Sequence, residues 1–306
     1  MPSHLDSKPH SGIGRRLPSN IDSILASIKD GNVDTTPYDR SRILPPFHRF
    51  MEKFEVSFKY SISLCIMPKA MCTLGTAIFC FLNNPAKFKA NGRRISTETW
   101  ATSLCRGRLL HDNYTRSEKF LGSTRLAFIR HPVDRFLSGF VNKCILKTAN
   151  EGADHCYGCG ANLSCFMDRF SQHLWEVYRS NNRTQRFFIT NHMAPQSWSC
   201  NFKEHLRDFI LIYFGSEPDA PGKAADQVYK VLENVGVPTY LRNEIRQEMA
   251  IGRSHHSTTS TAHRLEAERE LFTNQTLLRT LVELYYYDFV LFGHPLPTLR
   301  ANAMES

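Results

Sequence analysis

Two short stretches carry residues whose types and spacing suit anion chemistry. "PKAMCT", Pro68 to Thr73, lies between the apolar runs "SISLCIM" and "LGTAIFCFL" and sets one lysine, Lys69, in a turn with no acidic neighbour. A strand that ends in a turn and re-enters as a helix aims unpaired backbone N–H groups and the positive end of a helix dipole at one point. With the Lys69 ammonium added, Pro68, Ala70, Met71, Cys72 and Thr73 form a cradle for phosphate or sulfate, the Thr73 hydroxyl serving as a further donor or as the helix cap. The stretch lacks the G-x-x-x-x-G-K-[ST] spacing of a nucleoside-triphosphatase loop. A Pro-Lys after a strand is otherwise an ordinary solvated turn, so the reading needs a second signal.

"FIRHPVDRFLSGF", Phe128 to Phe140, supplies it. Arg130 closes a second strand-like run, "TRLAFIR", and Ser138 falls about two turns into the helix that Pro132 opens. A guanidinium fork and a hydroxyl suit the oxygens of a phosphate monoester. Arg135 is a third candidate, with a solvated helix face or a structural ion pair as its plainer role. Two anion sites on consecutive strand-turn-helix units imply a ligand with two separated anionic groups.

Holding both sites at one edge takes an α/β fold with a mostly parallel central sheet. "SFKYSISLCIM" reads as one strand, "FILIYFG" as another, and "RFFIT" as a strand end leading to His192. "CTLGTAIFCFL", "VDRFLSGFVNKCIL", "FMDRFSQHLWEVYRS", "PDAPGKAADQVYKVLENVG" and "TAHRLEAERELFTNQTLLRTLVELYYYDF" read as helices. Residues 1–53, rich in Pro, Ser, Gly and basic side chains, read as a mobile stem or linker ahead of a domain over 54–300.

The chain has 306 residues, 42% of them hydrophobic, enough for a sizeable core, and a formal charge of +9 that favours a polyanionic partner. The basic residues are dispersed without aromatic interleaving, which argues against nucleic acid. No stretch reaches the roughly 18 to 20 apolar residues of a membrane span, and the amino-terminal residues are too polar for a signal peptide. Of nine cysteines, Cys65, Cys72 and Cys80 come early and Cys105 stands alone. Cys144, Cys156, Cys159, Cys165 and Cys200 read as a disulfide framework of open connectivity. "CYGC" with Cys165, Cys200, His155, His173 and His205 also invites zinc, but the spacing gives no two clean ligand pairs, so no metal is expected. Sequons at Asn113, Asn162, Asn182 and Asn274 agree weakly with export.

Together, "PKAMCT" and "FIRHPVDRFLSGF" resemble the 5′-phosphosulfate and 3′-phosphate motifs of the Golgi carbohydrate sulfotransferases, the family of the chondroitin 4-O and HNK-1 sulfotransferases. "NHMAPQSWSC" resembles that family's H-W-x-P-Q segment, and "LYYYDFVLFGH" its Y-x-x-D-F-x-L-F-x-Y ending. The resemblance runs from Tyr60 to His294, and the cysteine-rich middle looks most like the nematode branch. It implies a P-loop-like three-layer sulfotransferase fold, 3′-phosphoadenosine 5′-phosphosulfate as donor, and a glycan acceptor such as a glycosaminoglycan of the chondroitin type. It also implies a Golgi membrane anchor with a lumenal catalytic domain, although no anchor is visible. By the same resemblance Lys69 and the helix start hold the phosphosulfate, Arg130 and Ser138 hold the 3′-phosphate, and His192 is the base. His111 and His131 are poorer bases, and Arg253 and His255 sit in a polar loop able to close over the nucleotide. His131 replaces a usual acid, and Met71 and Leu74 replace smaller or more polar residues. The alternative is therefore an inactive glycan-binding protein of the same fold.

Overall fold

The alternating run after Phe54 folds as a hairpin, where the sequence reads as one strand. In the computed structural model, which describes residues 18–105, 110–111, 114, 122, 124–146, 155–180, 188–215, 217, 219–251 and 261–299, helix α1 (Ile21–Asp30) precedes β1 (Phe54–Ser57) and β2 (Ile62–Cys65). A 3₁₀ turn, Phe58–Tyr60, and Ser61 at φ 50° reverse the chain, so that Phe54 faces Cys65 and Ser57 faces Ile62. Then come α2 (Cys72–Asn83), α3 (Pro85–Ala90), the short edge strand β3 (Leu110–His111), β4 (Thr124–Arg130) and α4 (Pro132–Phe140), which runs on into a π-helical turn, Val141–Ile145. The remaining elements are α5 (Leu163–Ser180), α6 (Phe188–Met193), α7 (Phe202–His205), β5 (Phe209–Phe214), α8 (Ala220–Asn234), α9 (Thr239–Ala250), α10 (Ala262–Thr273) and α11 (Gln275–Leu291). The described part of "RFFIT" lies in α6, so His192 sits within a helix and does not follow a strand. The last long helical run breaks at Asn274, whose side chain caps α11 by accepting from Thr276 and Leu277 N–H at 3.0 and 3.2 Å.

The sheet order is β3-β1-β2-β4-β5. β2 pairs parallel to β4 and β4 to β5, while β1 pairs antiparallel to both β2 and β3, so only β1 runs against the rest. This is an α/β fold with a mostly parallel sheet. The two chemical stretches leave the same edge of two neighbouring strands, the position where open α/β sheets take ligands. β4 is buried over Leu126–Arg130, as a central parallel strand is. α2 is apolar nearly all round and buried from Gly75 to Leu82. A Cβ on Gly75 would come within 2.4 Å of Leu64 Cδ2, so a glycine is what lets α2 lie close on β2.

Residues before Phe54 differ from the expected stem. Over the described residues from Pro18 onward, α1 contacts α11, and Ile43, Leu44, Phe50 and Met51 enter the core. Leu44 N–H donates to Glu283 O at 2.9 Å, and Trp198 Nε1 donates to Pro45 O at 2.8 Å. The Pro- and Ser-rich composition concealed these isolated apolar anchors.

Four disulfides join Cys65–Cys200, Cys80–Cys105, Cys144–Cys156 and Cys159–Cys165, leaving Cys72 free. Cys200 therefore pairs with the early group, and the thiolates that a zinc site would need are consumed. His173 Nδ1 meets Tyr157 Oη at 2.6 Å and His205 Nδ1 meets Asp208 Oδ2 at 2.9 Å, so these rings have other partners. Among the described residues no cluster of three His, Cys, Asp or Glu has metal-binding geometry. Among them, too, no helix is long and apolar enough to cross a membrane.

A side-chain amide finishes β4. Gln196 Oε1 accepts from Arg130 N–H at 3.0 Å and its Nε2 donates to Arg130 O at 2.8 Å, as a further strand would. Asp288, fully buried on α11, fixes that segment by accepting from Gln196 N–H at 2.6 Å and Ser197 N–H at 2.8 Å. Replacing Asp288 by Ala strands two buried donors, each worth about 1–3 kcal/mol. Urea unfolding of Asp288→Ala is expected to show a loss of about 2–4 kcal/mol, and a loss within experimental error would refute the anchoring role.

Candidate active site at the carboxyl edge of the sheet

The turn after β2 carries two non-glycine residues in the left-handed region, Lys69 at φ 65° and Met71 at φ 54°. Each costs roughly 1–2 kcal/mol, so the surroundings must hold them. Arg135, only 1% exposed on α4, donates from Nε to Pro68 O at 3.1 Å and from Nη1 to Ala194 O at 2.7 Å. Its other contacts, to Met193 O at 3.5 Å and His192 O at 3.4 Å, are weaker. Arg135 thus binds the Lys69 turn to the His192 segment and is not a surface residue. Arg130 Nη1 donates to Lys69 O at 3.2 Å, and the Cys65–Cys200 disulfide fixes the end of β2 just before the turn.

Met71 is the N-cap residue of α2 and no side chain caps the helix. Thr73 is the second helical residue and is no cap. The first backbone donors of α2 therefore face the turn without a side-chain acceptor. Cys72 and Thr73 are half-buried there and Ala70 is buried.

The Lys69 ammonium reaches across to Asn142 Oδ1 at 2.8 Å. Burial, then repulsion from Lys143 and more weakly from Arg130 and Arg135, pushes its pKa down to about 7 against a smaller opposing pull from the Cys72 thiol. Lys143, half-buried with its ammonium 5.1 Å from the centre of the Phe188 ring, is itself pushed down by burial. Among the described residues neither lysine has an ion-pair partner. The two lysines therefore concentrate positive charge with no carboxylate ion-paired to either among the described residues, which suits an incoming polyanion.

His192 Nδ1 lies 2.7 Å from Phe188 O. A carbonyl only accepts, so Nδ1 carries the proton and Nε2 keeps its lone pair. Burial, with Lys143, Lys69 and Arg135 repelling a second proton, lowers the His192 pKa to about 4, opposed by the Phe188 carbonyl. Ser138 is buried three residues beyond Arg135 on α4. Gly139 admits the neighbouring segment, since a Cβ there would sit 2.7 Å from Met193 Cγ.

Lys69, Arg130 and His192 thus come together, with Ser138 on the helix that carries Arg135. His111 lies on β3, separated from β2 by β1. His131 precedes α4 without capping it and packs edge-on against Phe289 and His294, at ring distances of 5.5 and 5.0 Å. Arg253 and His255 lie outside the described residues. Sequence reasoning missed Asn142 and Lys143. The available signal was that they fall four and five residues after Ser138, but placing both in the cleft takes the widened π turn, which no residue pattern announces.

Helix-start donors without a side-chain cap and lysines without ion-pair partners among the described residues, at the carboxyl edge of two adjacent parallel strands, make a site suited to an anionic ligand. Residues 52–295 match the sulfotransferase family model, and the chain belongs to the sulfotransferase family. It is 28% identical over 257 residues to carbohydrate sulfotransferase chst-1 of Caenorhabditis elegans, covering 82% of this chain and 78% of that protein. It is 27% identical over 232 residues to the putative sulfotransferase vep-2 of the same nematode, covering 72% and 70%. An uncharacterized protein of that organism is 28% identical over 295 residues, covering 91% and 79%. No solved structure matches the chain.

An anion bound beside Lys69 would hold its proton, which burial and neighbouring cations otherwise release near pH 7. Affinity for adenosine 3′,5′-bisphosphate is therefore expected to fall as pH rises above about 7, by up to about tenfold per unit. Calorimetry at about pH 8 should show proton uptake on binding; affinity independent of pH would refute this placement of Lys69.

Proposed function

We propose that the protein transfers the sulfuryl group of 3′-phosphoadenosine 5′-phosphosulfate to a hydroxyl of a glycan, with a glycosaminoglycan of the chondroitin type as acceptor. The observation that carries the proposal is the convergence of Lys69, Arg130 and His192 at one sheet edge in a cation-rich, carboxylate-poor cleft. Family membership supports the reaction and the similarity to chst-1 supports a carbohydrate acceptor.

Lys69 and the first N–H groups of α2 stabilise the charge that the 5′-phosphate gains as its oxygen–sulfur bond breaks and takes the electron pair. Arg130 and Ser138 hold the 3′-phosphate, which ATP lacks. The attacking hydroxyl forms the new oxygen–sulfur bond, and its proton passes to Nε2 of His192. A pKa of about 4 makes His192 a weak base in the free protein. Negative charge beside Lys69 and Lys143 offsets their repulsion and raises it toward the working range. Asn142 orients Lys69, and Lys143 adds a second cation beside it that would attract the sulfuryl oxygens.

The packing of His131 against Phe289 and His294 keeps it out of the anion cradle, so the change from an acid there leaves Lys69, Arg130 and Ser138 in place. The four disulfides suit an oxidising compartment and accord with the proposed lumenal Golgi location.

Radiolabelled sulfate transfer to desulfated chondroitin is expected in the wild type. Loss of one such electrostatic donor in Lys69→Ala should reduce kcat by about 10²–10³. His192→Gln should lose kcat while keeping donor affinity. Adenosine 3′,5′-bisphosphate should raise the melting temperature, an effect removed by Arg130→Ala. Equal stabilisation by ATP, or no transfer to any glycan, would overturn the proposal.

A further inference from the structure

A groove of about 1280 Å³ lies outside the site just described, lined by α1, the chain before β1, the end of α5, and α7 with the turn after it. None of Lys69, Arg130, Ser138 or His192 lines it. Five cationic side chains, Lys29, Arg49, Arg179, Lys203 and Arg207, face two carboxylates, those of Asp22 and Glu204. Those cations come from four separate segments of the chain, so the charge is gathered by the fold and does not belong to one helix face. Arg207 pairs with Asp22, and Arg49 Nε lies 2.6 Å from Glu52 Oε1. Lys29 and Lys203 are exposed and, among the described residues, have no ion-pair partner. The exposed Arg179 guanidinium lies over the Trp175 ring, 5.0 Å from its centre, a contact that restrains the side chain at the groove.

The groove also has an aromatic wall. Phe47, His48 and Tyr178 line it, and His48 and Tyr178 pack on Trp198 at ring distances of 4.8 and 6.3 Å. Trp198 follows Gln196 by two residues, and Gln196 completes β4 at Arg130. The groove is therefore joined through one short hydrogen-bonded segment to the strand end that carries Arg130.

Concave shape, cations from several segments and half-buried ring faces fit a flexible anionic polysaccharide, whose carboxylates pair with the lysines while its sugar faces lie on the rings. An anionic membrane fits less well, because none of the exposed large apolar side chains among the described residues lines the groove to enter a bilayer. We infer that this groove is a second binding site for the acceptor polymer, holding a stretch of an anionic glycan chain remote from the sugar that reacts. The inference rests on the glycan-acceptor reading above and extends it to a polymer-length preference.

The test compares the wild type with Lys29→Glu/Lys203→Glu and, separately, with Arg179→Glu. All three residues are exposed and lie outside the catalytic cleft, and circular dichroism checks that the variants fold. Unsulfated chondroitin polymer and its tetrasaccharide serve as acceptors, and immobilised chondroitin as the binding probe. The double variant is expected to raise KM for the polymer about five- to tenfold. Its kcat, its KM for the tetrasaccharide and its affinity for adenosine 3′,5′-bisphosphate should stay unchanged, and it should leave immobilised chondroitin at lower salt. Sulfate transfer with an unaltered polymer KM in the variants overturns the groove and leaves the enzymatic reading standing. Chondroitin binding that depends on Lys29 and Lys203 in a protein that transfers no sulfate upholds the groove and overturns the enzymatic reading. Binding to phosphatidylserine vesicles or RNA through these residues, without chondroitin binding, overturns the inference.

Discussion

The buried Arg135 guanidinium is the constraint on which the site depends. It is a fixed charge in the interior whose donors are met by carbonyl groups, from Pro68 on one side and from the His192–Ala194 segment on the other. The Asp288 carboxylate acts on it electrostatically while bonding to the backbone of Gln196 and Ser197. The carbonyls satisfy its geometry, so one residue holds two loops together and adds a cation beside the cleft. The left-handed Lys69 turn is affordable because this clamp, the Arg130 contact to Lys69 O and the Cys65–Cys200 bond hold it from three directions.

The same field explains why Lys69 and His192 are both displaced downward in pKa. Each is half-buried, and each has cations beside it. The free protein therefore stores an electrostatic cost that a bound anion would relieve, and on the proposed reading donor binding and the proton affinity of His192 are parts of one effect. Asn142 contributes a neutral acceptor to Lys69, orienting the ammonium without quenching its charge. The division of labour between charged and neutral partners is consistent across the cleft.

Several segments that look chemical in the sequence prove to be architectural. The Gln196 amide and the Asp288 carboxylate serve backbone groups, finishing β4 and fixing the segment after His192. Tyr285 belongs with them: its hydroxyl donates to Met193 O at 2.6 Å from a residue whose backbone, at φ −116° and ψ 16°, breaks the regularity of α11. Their chemistry is spent on precision of placement. Arg135, offered by the sequence as a possible ligand contact, belongs to this group, and His131 proves to be a packing residue.

The sequence by itself determined the local parts: the apolar run of α2, the buried strand ending in Arg130, Pro132 at the start of α4, and the Lys69 turn between apolar flanks. Each follows from near-neighbour periodicity and backbone chemistry, which act within a few residues. Tertiary structure decided what distance along the chain conceals. It split the run after Phe54 into a hairpin, drew Ile43, Leu44, Phe50 and Met51 into the core out of a polar segment, and paired Cys65 with Cys200 across a separation of 135 residues. It also brought Asn142 and Lys143 to Lys69, because a π turn and a packing contact set their direction and neither is encoded by residue type alone. Side-chain identity fixed which chemistry was available; long-range packing fixed which groups meet, since burial and charge repulsion arise only when distant segments share one volume.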